Sequence, residues 1–459
     1  MEELRLSYYT IPVKLESEKN KYLLVHGYTG AIDIVDGEIW MQMKSFSSQS
    51  KLSVQAIRLL ERRGYFTSRT KEEEINYVTR LAQLLHKSQS KLFKSFGFVV
   101  SYNCNFRCSY CFESEVSNHG LQWTKQTFTK EMVDKAYAAM LNIAPQERLR
   151  CKTLILYGGE PLLRENQSVV DYIVRKGGEL GFKFKVITNG YDIDYFEDII
   201  SPDYFNLVQI TLDGGKECHN SRRFHYEEGD SFEKIITNIG FVLSKGVNVT
   251  IRVNTDERNF NDIKELKQLF DELGYSQNPL FELHSSVIRK YDNNTDYTEN
   301  INFLSMDTFN QKMYSNDFSK QSNCQDFGIF KRFYKCLKNR SRYQLSSAAC
   351  SAQYGSFLFD PYGSIYSCLE TIGKKEHIIG HYNSSVGVTW TENRKKWFER
   401  NTGNSQNCQK CKYALFCGGG CLAHSKHTDS GFGLSYCNHY KAVFPISINK
   451  AYIACKCEK

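Results

Sequence analysis

Residues 96–113, FGFVVSYNCNFRCSYCFE, decide how this chain is read. An apolar, β-branched and aromatic run gives way to a polar turn carrying Cys104, Cys108 and Cys111 in C-x3-C-x2-C spacing. The run predicts a strand, and the turn then sets three thiols at its C-terminal end. Three thiolates on one loop can ligate three irons of a 4Fe-4S cluster and leave the fourth iron open to a non-protein ligand. Zinc would need a fourth ligand to complete its tetrahedron, and closed structural sites usually group ligands as two CxxC-like pairs. A redox-sensing or zinc-binding loop is the plainer alternative, which the preceding strand disfavours.

Outward from this segment, apolar β-rich runs alternate with helical patterns. KTLILYGGE, FKVITNG, LVQITLDG, VNVTIRVNT and LFELHSSVI follow as strands. Helices are expected near 130–143, 168–180 and 231–245, the last with Phe232, Ile235, Ile236, Ile239 and Leu243 at helical spacing. Six strand units separated by helices imply an α/β fold with parallel strands and right-handed crossovers, an open or partial (β/α)6 TIM-like barrel. Its active site should face the strand C-termini.

Before this unit, YTIPVKL, KYLLVHGY and the turn TGAIDIVD read as a strand and a hairpin, with helices around 37–45, 52–63 and 72–87. Residues 300–345 are polar with few periodic cues. Beyond them, Cys350-x12-Gly363-x4-Cys368 and Cys408-x2-Cys411-x5-Cys417-x3-Cys421 lead to Cys437, among glycines and short strand-like runs. The reading is therefore four segments: 1–90, 91–310, a bridging 311–345, and a metal-organised 346–459.

Composition sets the bounds. A length of 459 residues allows two to four domains, and 41% hydrophobic with 24% charged residues describes a folded protein. The net charge of +8 is spread along the chain, with no basic run interleaved with aromatics, so nucleic acid is not an expected partner. The start, MEELRLSYYT, lacks the basic and apolar regions of a secretory signal, and no apolar stretch reaches about 18 residues. A cytoplasmic location without a membrane partner is expected. Sixteen cysteines in such a chain point to metal rather than disulfides.

The triad, with Tyr110 before its last cysteine, resembles the cluster motif of the radical S-adenosylmethionine (SAM) superfamily. Downstream, Gly158-Gly159-Glu160 resembles that family's GGE motif. Glycines there permit close backbone approach and positive φ, and the carboxylate can accept from a ligand ammonium. Thr188-Asn189-Gly190 and Thr211-Leu212-Asp213-Gly214 sit where the family places SAM-ribose and substrate contacts, and His219 with Arg223 and Arg252 with Asn254 on the fifth strand are again similar to family sequences. The resemblance implies catalytic and cluster-binding roles for Cys104, Cys108 and Cys111. It implies cofactor contacts by Tyr110, Gly158, Gly159, Glu160, Thr188, Asn189, Asp213 and Arg252, the last equally readable as a structural ion-pair member. Reductive cleavage of SAM to a 5′-deoxyadenosyl radical and hydrogen abstraction from substrate follow as the expected activity.

The C-terminal array is similar to SPASM domains, which carry auxiliary 4Fe-4S clusters. By that resemblance Cys408, Cys411, Cys417 and Cys437 would hold one cluster, and Cys350, Cys368 and Cys421 would contribute to a second. Its fourth ligand is open among Cys324, Cys336, Cys455, Cys457 and a substrate thiolate. A purely structural or electron-relay role for both clusters is the plainer reading. Cys151 and Cys218 fall outside these patterns and read as buried small hydrophobes.

Residues 1–90 resemble, in outline, winged-helix recognition elements of ribosomal-peptide maturases, which would take an extended leader peptide as an added strand. The implied partners are a precursor peptide with its leader and a reducing protein such as flavodoxin or ferredoxin. The implied product is a thioether or related crosslink. Formylglycine formation as in sulfatase maturases, peptide epimerisation, and a non-catalytic iron-sulfur carrier or zinc scaffold are the alternatives. Specific motifs cover 96–290 and 346–440.

Overall fold

The computed structural model describes residues 4–47, 51–117, 119–289, 301–315, 323–384, 387–426, 435–437 and 439–458. The chain divides into two compact units that cut across the four segments expected from sequence. One comprises Met1–Lys91, Asp326–Tyr354 and Glu399–Lys459; the other comprises Leu92–Gln325 and Gly355–Phe398. The stretch expected as one domain, 346–459, is thus shared between them.

In the first unit, β1 (Arg5–Leu6) pairs with β5 (Phe66–Thr67), and β2 (Thr10–Lys14), β3 (Lys21–His26) and β4 (Ile32–Asp36) form an antiparallel sheet in that order. Three helices follow the expected periodicity: α1 (Gly37–Lys44), α2 (Val54–Arg63) and α3 (Lys71–Gln89). The hydroxyl of Ser53 accepts from Ala56 N to start α2, and Thr70 with Glu73 makes a complete capping box on α3, so each start is written locally. Leu24, Trp40, Met43, Tyr65 and Phe66 form one buried cluster beneath the sheet. Glu74 is fully buried and accepts from Arg5 Nη2 at 2.7 Å, Ser7 Oγ at 2.5 Å and Tyr28 OH at 3.1 Å, fixing β1 against α3.

The polar reading of 300–345 missed two helices, Met306–Ser315 and Ile329–Lys338. In the latter, Ile329, Phe333 and Cys336 are buried at i, i+4 and i+7, a stripe hidden among six basic and aromatic neighbours.

The second unit holds one eleven-stranded mixed sheet. Six parallel strands run in chain order: β6 (Ser95–Val99), β7 (Thr153–Tyr157), β8 (Lys183–Thr188), β9 (Phe205–Leu212), β10 (Val249–Thr255) and β11 (Phe281–Val287). Helices Lys130–Ile143, Gln167–Glu179, Phe232–Ser244 and Asp262–Glu272 fill crossovers between them. This is the sequential order of a barrel wall, but the sheet does not close. β12 (Asn323–Cys324) adds in parallel to β11, and β13 (Ser356–Phe359) adds in parallel to β6. From there β14 (Ser364–Tyr366), β15 (Gly380–Ser384) and β16 (Gly387–Trp390) continue antiparallel. Among the described residues no helix is long and apolar enough to cross a membrane.

Strand pleat decides what faces inward. Along β10, Val249, Ile251, Val253 and Thr255 are buried, while Arg252 and Asn254 point to the opposite face. The same alternation on β9 buries Val208, Ile210 and Leu212 and turns Gln209 and Thr211 the other way.

Candidate functional site

The inward residues and the loops at the strand C-termini enclose a cavity of about 260 Å³. Cys104, Cys108 and Cys111 line it together, as do Tyr110, Gly158, Gly159, Glu160, Thr188, Asn189 and Arg252. Asp213 does not line it: its side chain is completely buried beneath the cavity.

The cysteine loop is threaded under the turn after β7, and that is what the two glycines permit. Gly158 has φ +144°, and a Cβ there would sit 2.2 Å from the Ser101 carbonyl oxygen. At Gly159 a Cβ would lie 2.3 Å from the Asn103 oxygen. The pair of backbones is locked by Gly159 N donating to Ser101 O at 3.0 Å and Glu160 N to Asn103 O at 2.7 Å. The close approach anticipated from the motif is therefore to the chain's own loop.

Glu160 is likewise used internally. Its carboxylate accepts from Leu162 N at 2.9 Å, Thr188 Oγ1 at 2.6 Å and Asn189 N at 2.6 Å, which ties the turn after β7 to the turn after β8. Burial pushes its carboxyl up to about 7 despite these bonds. Asn189 Nδ2 donates to Asn105 Oδ1 at 2.7 Å, reaching back into the cysteine loop.

Tyr110 plays the same bracing part from the other side. Its hydroxyl accepts from Arg223 Nη1 and from Asn254 Nδ2, each at 3.0 Å. Arg252 Nε donates to Asn254 Oδ1 at 3.0 Å, so Arg252 belongs to this cavity-lining network rather than to an ion pair among the described residues. His219 is wholly buried between Asp213 N and Ser231 Oγ. Arg222, which the motif reading passed over, holds Asp256 through two 2.9 Å bonds.

Among the cavity residues that sequence reasoning missed are Glu113, Gln209 and Arg289. Glu113, two positions after the triad, is buried, and its carboxyl is pushed up to about 8, chiefly by that burial. Tyr157 and Gln209 also line the space, and both lie in phase with the inward pleat, the signal that could have found them. Arg289 lines it beyond β11 and pairs with Glu370 at 3.3 Å.

The thiols of the triad are disfavoured as bare thiolates. Burial raises all three, and Cys104 is raised further by the proximity of Cys108. A site that gathers three half-buried cysteines in the wall of a cavity suits a cation-rich group, which reverses that penalty and deprotonates its ligands. The donor set and the adjoining polar cavity thus fit an iron-sulfur cluster with a small polar ligand beside it.

The first unit contains a second cysteine constellation. Cys417 is raised to about 12 by burial and then by Cys408, Cys437 and Cys411, so these four thiols share one neighbourhood. Gly418, Gly419 and Gly420 all have φ between +70° and +82°, and a Cβ at Gly420 would lie 1.9 Å from Tyr436 O. That left-handed run lets Cys417 and Cys421 leave the turn on separate paths. Arg400, buried, donates to Gly419 O at 2.7 Å and Gly420 O at 3.1 Å and feels Cys408, Cys417, Cys421 and Cys350. Cys368 lies in the other unit, and the side chain of Cys324 is outside the described residues. Cys336 and Cys455 are buried within the first unit, and Cys457 is exposed.

The radical SAM superfamily family model matches residues 98–270. The radical SAM cyclopropyl synthase TigE of Paramaledivibacter caminithermalis is 21% identical over 454 residues, covering 92% of this chain and 90% of that protein. A cysteine-type anaerobic sulfatase-maturating enzyme of Clostridium novyi is 24% identical, covering 80% and 98%. Among solved structures, native anSMEcpe with bound AdoMet aligns with TM-score 0.57 at 19% identity over 79% of this chain and 99% of that one. Streptococcus suis SuiB bound to precursor peptide SuiA aligns with TM-score 0.52 at 13% identity over 95% and 99%. These likenesses show a shared fold.

Proposed function

We propose that this radical SAM enzyme, related to the sulfatase maturases, acts on a ribosomally made precursor peptide and installs a thioether or related crosslink. The observation that carries the chemistry is the convergence of Cys104, Cys108 and Cys111 on one cavity with the GGE turn, Asn189 and Arg252. The family implies SAM and a 4Fe-4S cluster, which when bound supply a 5′-deoxyadenosyl radical that takes a hydrogen atom from substrate.

The chain's own residues divide the remaining tasks. The three cysteines are the cluster ligands. Glu160, Thr188, Asn189 and Tyr110 hold the loops that shape the cofactor cavity, and Arg252 with Asn254 presents donors from the inward face of β10. Glu113 and Glu160, both raised toward neutrality by burial, can remain protonated beside a carboxylate or accept from an ammonium. Asp213 acts from behind, through Tyr110 and Arg223.

A peptide substrate is supported by the relatives. The SuiB structure contains its precursor peptide, and anSMEcpe has been solved with the Cp18Cys peptide. The likeness to TigE runs over 92% of this chain, and residues 1–90 are the segment read as a leader-recognition element. The neighbourhood of Cys408, Cys411, Cys417 and Cys437 supports an auxiliary cluster there, and Cys350 with Cys421 beside Arg400 supports a contribution to a second. A reducing partner such as flavodoxin or ferredoxin and a cytoplasmic setting complete the reading. Formylglycine formation is the second reading, favoured by the 98% coverage of the Clostridium novyi maturase.

Anaerobic reconstitution with iron and sulfide, then reduction with SAM and chromatography of 5′-deoxyadenosine, tests the class. Changing Cys104, Cys108 and Cys111 together to Ala is expected to abolish that product while iron remains elsewhere in the chain. Undiminished SAM cleavage by that variant refutes the assignment. Coexpression with candidate precursor peptides and mass spectrometry then separates a crosslink, seen as loss of two hydrogens without a hydrazide-reactive aldehyde, from formylglycine, whose aldehyde the hydrazide traps.

A further inference from the structure

The first unit carries an open cavity of about 660 Å³ whose wall is unusually basic. Lys44, Lys71, Lys410, Lys412 and Lys441 line it, with Arg5, which is paired to Glu74. Among the described residues no carboxylate lines it. Lys71 lies over the Tyr8 ring at 4.3 Å and Lys44 over the Trp40 ring at 5.7 Å, so aromatic faces hold both ammonium groups at the rim. Between Lys410 and Lys412, and partly exposed in the same wall, is Cys411. The segment bearing it is pinned to the sheet by Tyr8 OH donating to Lys410 O at 3.1 Å and Tyr9 OH to Gln409 O at 2.9 Å.

We propose that this lysine-ringed surface around Cys411 is the docking site of an acidic one-electron carrier protein of the flavodoxin class, and the point where electrons enter the chain. The proposal rests on the reading of Cys411 as an auxiliary-cluster ligand. A concave, single-sign field concentrates a partner of opposite charge and orients it on encounter, and the short-lived complexes of electron carriers depend on such steering. One electron leaves the reduced flavin of the carrier and enters the cluster held by Cys408, Cys411, Cys417 and Cys437; no bond is made or broken.

A substrate leader is the other acidic occupant such a surface could take, and the sheet argues against it. The cavity lies along β2, where Pro12 has no N–H to offer an added strand, whereas β4 ends the sheet on the far side with Ile34 exposed. A leader that binds by strand addition is better served at β4.

The test uses the reconstituted full-length protein and a variant carrying Lys71→Glu and Lys441→Glu. Both positions lie in the first turn of a helix, α3 and Tyr440–Cys457, where a carboxylate is favourable, so the fold is retained. Titration with purified flavodoxin is expected to weaken at least tenfold in the variant and to lose most of its salt dependence. Deoxyadenosine formation driven by flavodoxin hydroquinone should fall in parallel, while that driven by dithionite stays unchanged. Unaltered flavodoxin binding and turnover overturn the proposal. So does salt-dependent capture of a labelled oligoglutamate peptide that the variant loses while flavodoxin binding persists, because the ring is then a peptide site. Cys411→Ala checks the premise separately: full iron content and unchanged cluster spectra in that variant remove the cluster from Cys411, and with it the electron-entry role, whatever the docking result.

Discussion

Glu160 shows how much of the GGE motif is concerned with holding the site together. Three of its lone-pair positions are occupied by Leu162, Thr188 and Asn189, leaving one direction toward the cavity. In Glu160→Gln an amide replaces one oxygen, and its hydrogens face donors. We expect a loss of roughly 1–3 kcal/mol in local stability and at least a tenfold fall in deoxyadenosine formation. Wild-type melting and wild-type SAM cleavage in that variant would show the bonds to be incidental. His26, in the other unit, is completely buried between Ser7 and Thr29, and burial lowers it from 6.5 to about 3. The unfolded chain binds the extra proton first. Stability from a neutral His26 is therefore complete above pH 6.5 and is lost as pH falls toward 3, at roughly 1.4 kcal/mol per pH unit inside that window. Protection factors of the β3 amides, corrected for the intrinsic exchange rate at each pH, should fall accordingly on acidification, and His26→Gln should flatten the dependence. An equal slope in both proteins would remove His26 as its source.

At the scale of elements, the decisive contact is between two loops. The turn after β7 and the cysteine loop after β6 approach so closely that neither Gly158 nor Gly159 has room for a side chain, and the atoms they face are backbone. Gly158→Ala adds strain from a φ of +144° to a 2.2 Å overlap, and nothing flexible can yield. The variant should keep its far-ultraviolet circular dichroism, since the strands lie outside the clash. Reconstituted iron at the triad should drop by half or more, because the loop cannot close beneath the turn. Full iron loading with wild-type SAM binding would contradict this account of the GGE motif. Helix Ile329–Lys338 makes a parallel point, because its apolar stripe packs with the C-terminal helix Tyr440–Cys457 inside one unit.

For the whole molecule, the division into two units changes how the N-terminal segment must be probed. Residues 1–91 share a core with Asp326–Tyr354 and Glu399–Lys459: Tyr9, Tyr28, Val78, Ala82 and Leu415 form one buried cluster. Removing residues 1–90 to test leader recognition therefore strips the support of the C-terminal cysteines as well. We expect such a truncation to lose auxiliary iron and solubility together, and iron analysis of whatever remains soluble measures it. A soluble truncation with full iron would show residues 1–90 to be an independent module, as the sequence suggested.

What the sequence determined by itself was local and periodic. Six apolar, β-branched runs gave the parallel strands, stripes at helical spacing gave the helices, and Cys104, Cys108 and Cys111 on one loop stood out as a candidate ligand set, because three thiols within eight residues need no help from the rest of the chain. Tertiary structure alone decided which side chains meet across long separations. Tyr110 reaches Arg223 and Asn254, more than 100 positions away, and Asp213 retreats behind them instead of lining the cavity. Glu113 is a buried acid in the cavity wall, which nothing in its local sequence marks. The division into two units was equally hidden, since β13 joins β6 in one sheet while Leu415 joins Val78 in another core. Strand partners and core neighbours are chosen by buried area and hydrogen-bond satisfaction over the assembled fold, and no window of sequence contains those terms.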